Sequence, residues 1–362
     1  MIIMSDIMNS KQRVRNTFRY EKADRVPVNY MCNPGIDARL KKHFGLTPGD
    51  DEGLRQALGV DFRVVEATYT GPSLFEKTQG VRTDPIYGFH QRYIEHQTGG
   101  YWEYCDFPLQ HARAEDAKNW PFPDPDDFDY ASLLDQCEEY KDLGVIIGNN
   151  GIGLVICRLG FFRGFEQALI DLALDEPVGL ILIDKLLDFQ FAHMERVLDT
   201  LKGKADVMWM GEDLGTQIGP LISMEMFEKH ILPRQKRFFD LAASYGTPVM
   251  LHTCGCSSWA YEEYIKAGLC AVDTLQPEAK DMAPEYLKER FGGRLVFHGC
   301  ISTAGALTYG NVAEVEKCVK HTLEIMKPGG GYCLAPTHRI QDNTPLENVL
   351  CMYEKAKEYG KY

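Results

Sequence analysis

The sequence predicts an α/β protein closed into a (β/α)8 TIM barrel, with an antiparallel β insertion in its N-terminal third. Three observations carry that prediction. From residue 144 onward short apolar runs alternate with longer helical patterns, the texture of parallel strands joined by crossover helices. Counting the runs gives about eight, the number that a barrel needs. Neither a G-x-G-x-x-G nor a Walker A sequence is present, so the open nucleotide-binding sheet, the other fold with this alternation, lacks its signature. With 362 residues the chain is read as a single barrel domain over 1–362, with the insertion at about 61–130.

In chain order, Ser10 opens a helical pattern that sets Val14, Phe18 and Tyr20 among lysines and arginines. The basic stretch gives way at Arg25 to the apolar run 26–30, read as the first buried strand. Residues 61–104 are rich in Thr, Tyr, Val and Ile and punctuated by Gly71-Pro72, Gly80, Gly88 and Gly99-Gly100, as antiparallel strands decorating the domain are. The stretch 120–130, WPFPDPDDFDY, reads as a surface loop. The further strand runs are 144–148, a weaker 153–157, 207–211, 248–252, 271–275, 295–299 and 331–335. Helical patterns fill 177–201, 223–244, 257–267, 284–291, 312–326 and 345–359.

Composition removes several function classes. Hydrophobic residues are 44% and charged residues 25%, which excludes a disordered or collagen-like chain. The formal net charge of -13, with no basic run, argues against nucleic acid as a partner. No stretch has the length and apolarity of a signal peptide or a membrane span, the most hydrophobic window, 179–187, being broken by Asp184 and Lys185. A cytoplasmic protein is expected. Its 11 cysteines, odd in number and irregularly spaced, are then reduced thiols free for metals or chemistry.

In parallel α/β folds the reactive side chains stand just beyond the C-terminal ends of the strands. Those ends carry Glu212-Asp213, His252-Thr253-Cys254, Gln276, His298, Cys300 and His338. On an extended backbone residues i and i+2 point to one side, so His252 and Cys254 can reach one ion with an imidazole and a thiolate. A catalytic zinc takes three protein ligands, and His338 is the best-placed third, with Cys300, Cys333 and Glu212 behind it. Glu212 and Asp213 are the candidate catalytic carboxylates: as a general acid, a metal ligand, or an acceptor orienting a ligand histidine. The alternative for them is capping of the adjoining loop and helix. Cys256, beside Ser257 and Ser258, reads as a helix-entry residue. Tyr69, Trp102, Tyr104 and Trp209 are candidates for an apolar ligand pocket.

These residues resemble the uroporphyrinogen decarboxylase superfamily of barrels, which includes zinc- and corrinoid-dependent methyltransferases such as the methylcobalamin:coenzyme M enzymes. The likeness spans nearly the whole chain. It rests on RVPVNYM in the first strand, on MLHTCG with His252 to Gly255, on GGGYCLAPTHRI at the last strand, and on NTPLENV at Asn343 to Val349. The H-x-C pair points to the methyltransferase branch. True decarboxylases carry a VPVWFMRQAGR-like pattern whose arginines grip tetrapyrrole carboxylates; here those places hold Cys32 and Ile36, so porphyrinogen decarboxylation is not expected.

In the coenzyme M enzymes zinc is held by H-x-C and by a cysteine in an APGC-like turn. This chain has Ala335-Pro336-Thr337-His338, with His338 at the cysteine's place. The resemblance thus implies a zinc-dependent methyltransferase that moves a methyl group between a small methylated substrate and a corrinoid (cobalamin) held on a partner protein. The less thiolate-rich ligand set tilts the reading to demethylation, of a methoxylated aromatic if Tyr69 and Trp102 line the pocket. Assembly as a homodimer is compatible with this reading. Two rivals are a metal-free lyase of the same fold acting on a small carboxylic acid, and a non-catalytic corrinoid- or tetrapyrrole-binding protein.

Overall fold

The computed structural model describes residues 8–97 and 99–362. The opening residues 1–7, part of the N-terminus read above for a targeting segment, lie outside the described residues. Seven parallel strands form one sheet: β1 (Phe62–Val65), β2 (Gly144–Gly148), β3 (Val207–Gly211), β4 (Val249–Thr253), β5 (Ala271–Thr274), β6 (Val296–Ile301) and β7 (Tyr332–Pro336), each hydrogen-bonded to the next. Residues 26–30 close the curve. Leu334 N–H donates to Pro27 O and Asn29 N–H to Leu334 O on the β7 side, while Asp61 N–H donates to Val28 O on the β1 side. The barrel predicted from the alternation is therefore present, with the first apolar run in the place between the last strand and β1.

Within 120–130, read as a loop, Phe128–Asp129 pairs antiparallel with Thr68–Tyr69, and two differences from the sequence reading bear on the barrel. Phe62–Val65 is a barrel strand, register-paired in parallel with β2, so the antiparallel additions start beyond it. The apolar run 153–157 is not a strand: its end enters the helix Ile156–Arg163. An apolar run this short does not by itself distinguish a buried strand from a buried helix start. The antiparallel elements include the hairpin His90–His96 and Gly99–Tyr104, where Tyr93 stands opposite Trp102. The crossover helices fall where the 3.6-residue pattern placed them, Pro177–Leu201 and Val312–Met326 among them.

Strand side chains alternate, and the inward set fills the barrel in layers. The lower layer holds Phe62, Ile146, Val207, Met250, Ala271, Val296 and Cys333, packed with Val14 from the helix Ser10–Phe18, which plugs the N-terminal end. Two residues further along their strands, the same faces carry Val64, Trp209, His252, Asp273, His298 and Ala335, all lining a cavity at the C-terminal end. The outward set packs on the helices in the larger core. A chain of two-residue steps thus lifts the polar residues above an apolar floor.

Candidate metal centre

The cavity holds ≈ 520 Å³, and Ile146 and Met250 of the inner layers face it from below. His252 stands at the end of β4, in register with Asp273 on β5, which is in register with His298 on β6. Parallel register points all three side chains inward. His252 Nδ1 lies 2.9 Å from Asp273 Oδ2, and His298 Nδ1 lies 2.6 Å from Asp273 Oδ1. Trp209 donates its indole N–H to Asp273 Oδ2 at 3.1 Å. With Nδ1 turned to the carboxylate, His252 presents Nε2 to Cys254 Sγ at 3.4 Å.

The loop after β4 is fixed almost atom by atom. Cys254 N–H donates to Asp213 Oδ1 at 3.0 Å, Gly255 N–H to Gln276 Oε1 at 2.7 Å, and Cys256 N–H to Thr216 O at 2.8 Å. Gly255 has φ +69, and a Cβ there would lie 2.3 Å from Gly215 O, so the turn admits no side chain. His338 approaches from the loop after β7, anchored by the Thr337 N–H to Ile301 O bond, with its ring 6.1 Å from that of His252. One donor atom each from His252, Cys254 and His338 lies within 4.8 Å of the others, a group able to hold a metal ion.

Electrostatics suit that arrangement. Burial raises the Cys254 thiol, against the lowering by His252. Burial lowers His338, with the neighbouring His252 adding to the effect, so its ring stays neutral with a lone pair free to bind a cation. Burial pushes Asp273 up, but His298 and His252 outweigh it and hold the carboxyl well below the usual range. At His252 burial is likewise overcome, by the bonds to Asp273 and Cys254, and the ring sits well above its ordinary value. A cation taken up at Nε2 displaces that proton.

The two candidate carboxylates both accept from backbone N–H groups. Glu212 is fully buried and spends its oxygens on the Val155 N–H at 2.7 Å and the Ile156 N–H at 3.3 Å, at the start of a helix. It lies outside the cavity lining, as the capping alternative has it. Asp213 accepts from the Cys254 N–H with one oxygen and from the Cys157 thiol, at 3.6 Å, with the other. The reserve ligands are also elsewhere. Gly299 (φ 126) and Cys300 (φ 71) break the strand alternation, turning Cys300 out to pack with the layer under the helices. Cys333 is sealed in the lower layer.

Among the four aromatics, Trp209 lines the cavity, while Trp102 is 43% exposed on the hairpin and Tyr104 stacks on Phe161. Tyr69 lines a separate cavity with Phe128, Phe189 and His193. Asp273 and Asn29 were not singled out from sequence. The signal for Asp273 was a carboxylate inside an otherwise apolar strand run, AVDTL, where a buried charge requires partners.

Residues 160–359, more than half of the chain, match the family described as uroporphyrinogen decarboxylase (URO-D). The chain belongs to the uroporphyrinogen decarboxylase family. No curated protein matches it in sequence. Among solved structures, a methyltransferase from Methanosarcina mazei superposes with a TM-score of 0.63 at 18% identity, over 97% of this chain and 99% of that one. That likeness is one of fold. Two lower-scoring matches are the IolI protein solved with a zinc atom (TM-score 0.38, 13% identity, 63% of this chain and 81% of that one) and D-psicose 3-epimerase (TM-score 0.35, 11% identity, 68% and 84%). No described helix of this URO-D family member is long and apolar enough to cross a membrane.

Proposed function

We propose that this chain is a zinc-dependent methyltransferase, moving a methyl group between a small methylated substrate and a corrinoid carried by a separate protein. The observation that carries the reading is the His252–Cys254–His338 triad at the barrel cavity's C-terminal end. The residues present fit zinc. An imidazole and a thiolate sharing a tetrahedral zinc stand about 3.6 Å apart from the usual bond lengths, against 3.4 Å between His252 Nε2 and Cys254 Sγ. Three protein donors leave a fourth position for substrate, as catalytic zinc sites do. Zinc bound there supplies Lewis acidity toward a substrate oxygen or sulfur, and the partner's corrinoid supplies the cobalt that takes or gives the methyl group.

The chain's own residues do the rest. Met250, Ile146 and Trp209 give the cavity an apolar floor and wall beside the triad, which disfavours water where the methyl group would move. Asn29, Tyr30, Asn149 and Asn150 line it with groups that can orient a polar substrate. Asp213 holds the Cys254 loop, and Glu212 holds the helix behind it; both act as supports. With Trp102 and Tyr69 outside the lining, an aromatic ring has Trp209 and Tyr30 for company here, and a small methylated substrate is the class proposed. The Methanosarcina mazei protein of like fold is itself a methyltransferase.

The test is direct methyl transfer. Zinc-loaded protein is mixed with cob(I)alamin and a panel of methanol, methanethiol, methylamines and methoxybenzoates, and methylcobalamin formation is followed by absorbance. One donor class is expected to convert, with Cys254→Ala inactive. No conversion with any donor, and none from methylcobalamin to a thiol in reverse, would overturn the proposal in favour of the metal-free lyase.

A further inference from the structure

Asp273 is 2% exposed, and its carboxylate is met by three side-chain N–H groups. Oδ2 receives His252 Nδ1 at 2.9 Å and Trp209 Nε1 at 3.1 Å, and Oδ1 receives His298 Nδ1 at 2.6 Å. The two imidazoles are therefore set in the same tautomeric sense, each donating from Nδ1 and presenting Nε2. Their Nε2 atoms face different chemistry. That of His252 meets Cys254 Sγ within the triad, whereas that of His298 lies 3.1 Å from Asn29 Nδ2, and both His298 and Asn29 line the cavity. An amide N–H donating to His298 Nε2 agrees with a proton on its Nδ1.

The geometry points to Asp273 as a positioning residue with two clients: it aims His252 at the metal and His298, with Asn29, at the substrate. The inference rests on the metal reading of the triad. A charged acceptor bonds an imidazole N–H about twice as strongly as a neutral one. Outer-shell carboxylates of this kind typically contribute about 10–100-fold to metal affinity. The competitor for His252 is Thr274, whose hydroxyl oxygen is 2.8 Å from the same Nδ1. It is neutral, and its removal leaves the carboxylate bond in place.

His298 is a different matter, because among the described residues its hydrogen bonds go to Asn29 and Asp273 and to no member of the triad. Its substitution releases Oδ1 and leaves the His252 bond on Oδ2. Metal binding and substrate binding therefore separate at this carboxylate: the first fails with Asp273 alone, the second with Asp273 or His298.

The experiment measures zinc affinity by competition with a chromophoric chelator, and donor KM, for wild type, Asp273→Asn, Thr274→Val and His298→Gln, with the ligand-field spectrum of the cobalt(II)-substituted proteins alongside. Asp273→Asn is expected to bind zinc about 10–100-fold more weakly with shifted cobalt bands. Thr274→Val and His298→Gln are expected to keep affinity within about threefold and unshifted bands, well short of that loss, and His298→Gln to raise the donor KM. Should Asp273→Asn not fold, Asp273→Ser, which removes the charge and leaves room for water, carries the same expectation. Wild-type affinity in the Asp273 variant, an equal loss in His298→Gln or Thr274→Val, or an unchanged KM in His298→Gln overturns the inference. A wild type that binds no zinc fails the metal reading itself, which the same titration registers separately.

Discussion

Glu212 illustrates how a strand-end carboxylate is assigned by its partners rather than its position. Its side chain is enclosed and caps the helix start at Val155 and Ile156, and burial raises its pKa well above the ordinary value in spite of those N–H bonds. A carboxyl whose folded value is raised binds its proton more tightly when folded, so its contribution is complete below pH ~4.3 and is lost as pH rises toward the folded value. Glu212→Gln, neutral at every pH, is then expected to keep its zinc and its turnover, and to gain stability relative to wild type as pH rises from 5 to 8 in ~1-unit steps of denaturant titration. Glu212→Ala leaves two buried N–H groups without an acceptor and is expected to cost about 1–3 kcal/mol. A proton donor would behave oppositely: Glu212→Gln would lose turnover at unchanged stability.

At the scale of elements, the loop between β4 and the following helix is the part that delivers Cys254. Three successive N–H groups are held there, and the turn closes only because residue 255 lacks a Cβ. Gly255→Ala brings a methyl group against Gly215 O, so the loop must move; zinc affinity is expected to fall at least tenfold while the far-ultraviolet circular dichroism stays that of wild type. Retained affinity would mean that Cys254 is not positioned by this turn. The same elements explain what was legible in the sequence. His252 and Cys254 were readable because a strand repeats every two residues, and His338 because it follows the last strand run. Asp273 was hidden inside a strand run, and its role depends on register between β4, β5 and β6, a nonlocal property. Cys300 was misplaced by two left-handed residues, Gly299 and Cys300, that no periodicity announces. Phe62–Val65 was absorbed into the antiparallel region because Asp61 and Arg63 interrupt its apolar pattern, and its partner strand, Gly144–Ile147 in register, is remote in sequence.

At the scale of the whole molecule, the barrel separates support from chemistry along its axis. The N-terminal end is closed by Val14 and by Asp61, which binds Arg13 and Arg25 at 2.7 Å and accepts the Val28 N–H, tying the first run to β1. The opposite end carries the cavity, the triad and the loops after β4 and β7. A corrinoid-bearing partner of the kind proposed would dock at that mouth, where strand-end loops carry the reactive groups of such barrels. The proposed chemistry depends on the three donors acting together as one site. The most direct test is elemental analysis of untagged protein purified without chelators, wild type beside His252→Ala, Cys254→Ala and His338→Ala. About one zinc per chain is expected in the wild type, lost in each variant; a wild type without zinc, or variants that all retain it, would contradict a metal centre at this triad.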